Sequence, residues 1–130
     1  MNEKTVLHHV ALQYSDRKKA EIFFTKVLDL TLKKTFTLNK DLSKNIFGII
    51  EDVIVDVYSN KGCYFEIFIT KIKTKYNYEH ISIEVSSIED FIKKCKEYNI
   101  EPMLIKKDGK TLFFIRDYAG NLFEIKEKKM

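Results

Sequence analysis

The chain has no tryptophan, one proline, four glycines, two cysteines and, at Arg17 and Arg116, only two arginines in 130 residues. Cys63 and Cys95 lie in different halves and form no CxxC pair, so a disulfide framework is excluded. Two buried thiols in a reducing compartment are the expectation, with a single bridge between them as the alternative. The net charge of +4 comes from evenly scattered lysines that make no stripe interleaved with aromatics, and nucleic acid is not an expected partner. No apolar run approaches the roughly 18 residues that span a bilayer, so no membrane partner is expected. The N-terminal MNEKTVLHH carries an acidic residue and no hydrophobic stretch of signal-peptide type, which points to a cytoplasmic protein. With Pro and Gly so sparse, the few turn signals carry weight: Asn60-Lys61-Gly62, Pro102, Asp108-Gly109 and Asp117 to Gly120.

What is present is a soluble, foldable composition, 45% hydrophobic and 32% charged. A length of 130 residues suits one domain with one core, here residues 1–130. The chain repeats itself. A histidine opens a strand in HHVALQYSD and again in EHISIEVSS, and a Phe-Glu-Ile triplet closes each half in CYFEIFITK and NLFEIKEKK. Two signatures recurring in fixed order with one large period mark an internally duplicated fold.

Each half reads as β-α-β-β-β, over residues 5–70 and 79–128. Residues 6–14 form a strand, and Ser15 and Asp16 start a helix. Ala20, Phe23, Phe24, Val27 and Leu28 then fall on one helical face. Leu30 to Leu38, the alternating Val53, Val55 and Val57, and residues 63–70 give three strands. In the second half, residues 80–85 make a strand, and Ser87 with Asp90 fits a capping box. Ile88, Phe91, Ile92, Cys95 and Tyr98 share a helical face, and hairpin strands follow. KIKTKYNYE, 71–79, is a polar connector, and KEKKM at the end is a solvated tail. The first half is longer by 39–51 (NKDLSKNIFGIIE), expected as a rim loop or short helix.

Strand alternation sets where side chains point. Val10, Leu12 and Tyr14 face the helix, which leaves His9, Ala11 and Gln13 on the other side; His9, not His8, therefore matches His80. Phe65 and Ile67, like Phe123 and Ile125, flank a glutamate on the opposite face. Taken singly, His9, Glu66, His80 and Glu124 are ordinary strand-surface residues. Four ligand-type side chains at repeat-equivalent positions point instead to a divalent metal. The N/O donor set suits Ni, Co, Zn, Mn or Fe(II).

With these residues in place the sequence resembles the vicinal oxygen chelate superfamily, which includes glyoxalases, bleomycin-resistance proteins and dioxygenases. The resemblance rests on HHVALQYSD with its helix, YFEIF, HISIEV and RDYAGNLFEI, and covers essentially the whole chain. It implies an α+β fold of two tandem βαβββ modules with curled mixed sheets around a metal-binding cleft. One metal is then held by strands 1, 4, 5 and 8, here His9, Glu66, His80 and Glu124. A His/Glu/His/Glu set resembles that of glyoxalase I. It implies a lyase or isomerase that acts through a metal-stabilised enediolate on a 2-oxoaldehyde–thiol adduct, with Glu124 and Glu66 moving the proton. Gln13, where that family places a thiol-binding arginine, is a candidate for substrate contact, with Tyr64, Phe68, Ser82, Leu122 and Arg116; Arg17 is the other arginine available to a carboxylated substrate. The alternatives are an enzyme like methylmalonyl-CoA epimerase and a non-catalytic drug-sequestering binder. Unpaired sheet edges and the small modules imply a homodimer.

Overall fold

The computed structural model of the chain describes residues 7–71 and 79–129. The first module runs β1 (Val10–Tyr14), α1 (Arg17–Glu21, continuing as a π-helical stretch Ile22–Val27), β2 (Thr31–Leu38), α2 (Lys40–Phe47), β3 (Val53–Ser59) and β4 (Tyr64–Ile69). The second runs β5 (His80–Val85), α3 (Ile88–Glu97), β6 (Met103–Lys107), β7 (Lys110–Arg116) and β8 (Leu122–Glu127). The four-stranded sheets are ordered β1-β4-β3-β2 and β5-β8-β7-β6. In each, the opening strand lies parallel to the last strand of its module, and the other pairings are antiparallel. The βαβββ plan is therefore built twice, as the repeat implies. Most of the connector, 72–78, lies outside the described residues, as do Val6 and the start of the first expected strand.

Local chemistry sets the boundaries. Asp16 accepts from the Lys19 amide at 3.2 Å and starts α1, and Ser87 accepts from the Asp90 amide at 3.2 Å and starts α3. The amide of Ile88 donates to Glu127 Oε1 at 3.1 Å, so Glu127 adds a negative charge at the positive end of α3. The expected solvated tail thus begins later than KEKKM, because Lys126 and Glu127 belong to β8. The Asp108-Gly109 hairpin has both residues at positive φ, 51° and 77°, as a tight β-turn between twisted strands requires.

The first helix differs from the regular α-helix its periodicity predicts. Leu28 N bonds to Phe23 O at 3.0 Å, an i→i−5 step. Its apolar face survives, with Ala20, Phe23, Phe24 and Val27 at 0–1% exposure. The wider turn spreads that face, so adjacent rings address different sheets. Phe24 packs on Tyr58 and Phe65, both at 5.3 Å between centroids, while Phe23 packs on Phe123 at 5.3 Å. One core therefore takes residues from both modules, including Tyr14, Ile67, Phe91, Cys95, Ile115 and Ile125. Cys63 and Cys95 are free thiols; burial pushes the Cys95 thiol up to about 11.

A charged pair is folded against this core. Asp56, 1% exposed, accepts from Arg17 Nε at 2.8 Å and Nη2 at 2.7 Å, and from Thr35 Oγ1 at 2.7 Å. Burial alone would raise the Asp56 carboxyl, but the Arg17 fork and the Thr35 hydroxyl together hold it below the usual carboxylate range. Such a group contributes stability above its unfolded pKa, and this is lost as pH falls through the folded one. Arg17→Ala strands the carboxylate in the interior. A loss near the lower end of about 3–5 kcal/mol is expected, because Arg17 is itself half exposed. Without the guanidinium, desolvation raises Asp56 instead, so the deficit against wild type should shrink as pH drops towards about 4. Thermal melts of both proteins between pH 7 and pH 3 check this; a deficit constant with pH would contradict it.

Candidate functional site

The two halves place their histidine and glutamate by the same rule. Ala11 is in register with Glu66 across β1 and β4, and His9 lies two residues before Ala11. Ser82 is in register with Glu124 across β5 and β8, and His80 lies two residues before Ser82. His9 sits one position ahead of β1, whereas His80 is the first residue of β5. The resulting pairs are alike: His9 Nε2 to Glu66 Oε1 is 3.6 Å, and His80 Nε2 to Glu124 Oε1 is 3.9 Å. All four side chains are partly open to solvent, at 36%, 21%, 44% and 18% in chain order.

Two donors on one cation at about 2.1 Å lie roughly 3.4 Å apart in tetrahedral geometry, so each pair has the spacing of neighbouring ligands. Each pair supplies only two. Among the described residues no group of three or more His, Cys, Asp or Glu side chains is placed to hold a metal ion. The reason lies in the packing. Phe65 and Phe123, the neighbours of the two glutamates, turn towards the shared core, with ring centroids 6.4 Å apart. Side-chain alternation then turns Glu66 and Glu124 away from that core, each on the outer face of its own sheet.

Further residues border these pairs. His8 does not join the His9–Glu66 contact; its Nδ1 lies 2.9 Å from His9 Nδ1, and one imidazole donates to the other. The Tyr64 ring lies tilted against both imidazoles, with centroids at 5.1 Å and 6.0 Å. A groove of about 440 Å³ runs from His9 and Tyr64 to Ser82. Glu124 Oε2 lies 3.5 Å from Lys126 Nζ, the i+2 neighbour on the same face of β8 rather than part of a solvated tail. On the same face His80 meets the ring of Phe114 at 6.4 Å.

The arginines are engaged. Arg17 is bound to Asp56, whose strand neighbour Ile67 faces the core, so it is committed to the fold rather than to a substrate. Arg116 Nη1 donates to Gly120 O at 2.8 Å and ties down the turn before β8. In that turn Asp117 accepts from Ala119 N, Asn121 N and Asn121 Nδ2 at 3.1, 2.8 and 2.9 Å. Burial raises the Asp117 carboxyl despite these bonds. The Tyr14 hydroxyl is buried and makes no hydrogen bond of normal geometry; burial, with the Asp117 charge beside it, pushes it far above its usual range.

The insert 39–51 folds as α2 over the outer face of the first sheet, where Phe47 meets Phe68 at 5.5 Å. Gln13 and Phe68, both candidates for substrate contact, line the pocket beneath it. Periodicity allowed a short helix there but did not indicate what it would cover.

No protein-family model matches the chain, and no curated protein matches it by sequence. Solved structures do match in shape. FosX from Listeria monocytogenes, a genomically encoded fosfomycin resistance protein, superposes with a TM-score of 0.73 at 14% identity, over 98% of this chain and 97% of that one. A glyoxalase family protein from Enterococcus faecalis gives 0.70 at 22% identity, over 92% and 95%. The chain has the vicinal oxygen chelate fold. FosX from Mesorhizobium loti shares it as well, at a TM-score of 0.70 and 10% identity, over 98% and 95%. A glutamate-to-glutamine variant of the Listeria protein was crystallised with Mn(II) and 1S,2S-dihydroxypropylphosphonic acid, a dihydroxylated small molecule on the same fold. Among the described residues no helix is long and apolar enough to cross a membrane.

Proposed function

We propose that this chain is a metal-dependent lyase or isomerase of glyoxalase type, acting on a small substrate that chelates through neighbouring oxygens. The observation that carries the reading is the matched pair of His–Glu contacts, set by identical register in two repeated modules. Each pair offers half of a four-donor site from an outward face. The complete site then takes His9 and Glu66 from one protomer, with the partner's His80 and Glu124. This makes the expected homodimer a condition of metal binding.

A bound divalent ion supplies Lewis-acid polarisation of a chelated carbonyl. The residues of the chain supply the rest. Glu66 and Glu124, the carboxylates of the two pairs, do the acid–base work in this reading. One takes the proton from the carbon beside the carbonyl, and the other returns a proton to its neighbour. Tyr64 beside His9 and Phe114 beside His80 supply aromatic surface next to the two pairs, against which a substrate would pack.

A second reading is favoured by the likeness to FosX: addition of water to a strained oxygen heterocycle such as fosfomycin. The glutamate at position 66 argues modestly against it, because fosfomycin-modifying members of the superfamily typically use three ligands. Metal analysis of the protein as purified, followed by turnover assays, tests the proposal. About one divalent ion per chain is expected, with activity on a 2-oxoaldehyde–thiol adduct. Turnover of fosfomycin alone would select the second reading. Absence of metal together with tight binding of an aromatic drug would replace both with sequestration.

A further inference from the structure

The pocket under α2 has features of a built site. The helix is anchored at both ends: Asn39 Oδ1 accepts from the Leu42 amide at 2.9 Å, and Gly48, in the left-handed conformation at φ 73°, returns its amide to Lys44 O at 2.9 Å. Asp52 Oδ1 accepts from the Lys40 amide at 2.7 Å and ties the far end of the insert back to the helix start. α2 is thus held over the sheet with Phe47 against Phe68. Between them lies a pocket of about 390 Å³ with Ala11 and Gln13 on its sheet side. That volume is in the range of small-molecule sites, and such sites are mostly apolar with a few placed polar groups. Gln13, Ser43 and Thr70 are the neutral polar residues lining this space, and Glu51, Asp52 and Lys71 line it as well.

The position along the strands gives the pocket its meaning. Ala11 pairs with Glu66, and Gln13 pairs with Phe68, one repeat of the sheet further along. Two residues of a strand span roughly 7 Å. The pocket therefore opens on the same outer face as Glu66, about that distance beyond it. We infer that this pocket receives an uncharged apolar or aromatic tail of the substrate, whose oxygen-bearing head lies at the His9–Glu66 pair. Two carboxylates, Glu51 and Asp52, against the single ammonium of Lys71 disfavour an anionic tail, and the insert, which the second module lacks, makes this a specificity element of the first module alone. The substrate class is an amphiphile, with a chelating head and an unbranched alkyl or aryl group about 7 Å away. This rests on the metal-site reading above for the head, while the tail pocket stands on its own geometry.

The test has two arms. In the first, affinities of a series of linear alkyl hydroxamic acids, from acetohydroxamic to decanohydroxamic acid, are measured on Mn(II)-loaded protein. The shortest should bind alike. Once the chain spans the gap, affinity should rise by up to about three- to fourfold per methylene until the pocket is filled. Phe47→Ala should lower the ratio of decanohydroxamate to acetohydroxamate affinity at least fivefold; Phe47 is half exposed, so the fold tolerates the change. A flat series, or a ratio that Phe47→Ala leaves unchanged, overturns the inference. In the second arm, metal-free protein is titrated with 2-naphthol while amide NMR signals are followed. Shifts centred on Gln13, Phe47 and Phe68 are expected, and shifts elsewhere or none overturn it. A chain that binds no metal would sink the metal-site reading and leave this second arm to decide the pocket.

Discussion

Two inactive variants of this chain are expected to restore one another. The first carries His9→Ala and Glu66→Ala, the second His80→Ala and Glu124→Ala; neither alone should bind a divalent ion, since each homodimer lacks two of four donors at every site. Refolded together in equal amounts, half of the dimers are mixed. In a mixed dimer one site collects all four substitutions and the other none, so about a quarter of all sites become complete. Metal content and turnover should both recover to that fraction. The expectation follows from the packing. The helix-facing sides of the two sheets share a core, which turns the two pairs outward within one chain. If one parent already binds metal at full stoichiometry, or the mixture shows no recovery while sedimentation finds mixed dimers, the shared site is wrong.

The second large effect concerns Glu124. Glu124→Gln keeps an oxygen donor in place and removes most of the basicity. Turnover of metal-loaded protein should fall by roughly 10²–10⁴, the usual contribution of a positioned general acid or base. Metal content should fall much less. The paired readout matters, because a residue that only held the metal would lose both together. Glu124 Oε2 lies 3.5 Å from Lys126 Nζ, and Lys126→Met supplies the control for charge around the carboxylate without touching a donor. Equal losses of metal and activity in Glu124→Gln would reduce Glu124 to a ligand and leave Glu66 as the base.

The repeat was legible because it is written in local terms. Alternation with period two put His80, Ser82 and Glu84 on one face and Ile81, Ile83 and Val85 on the other, and the burial of β5 follows that pattern. The same rule chose His9 over His8, whose ring instead lies against His9 and Tyr64. Caps and turns were equally local: Asp16, Ser87 and Asp108-Gly109 each act within three residues of their own position.

What was not legible depends on partners distant in sequence. Arg17 reads as a free cation until Asp56, 39 positions away, is folded against it. The π-helical turn arises because Phe23 and Phe24 must serve two different sheets, and the helix's own periodicity carries no information about the second one. The insert 39–51 reads as a rim loop or short helix, but its seat on Phe68, 21 positions from Phe47, is not written in it. The sequence by itself determined the order of the strands, the faces they present and the four residues of the two His–Glu pairs, since each follows from periodicity and short-range bonding. The tertiary structure decided that these residues stand in two outward His–Glu pairs, because the direction in which two sheets share a core is set by long-range packing of aromatic rings.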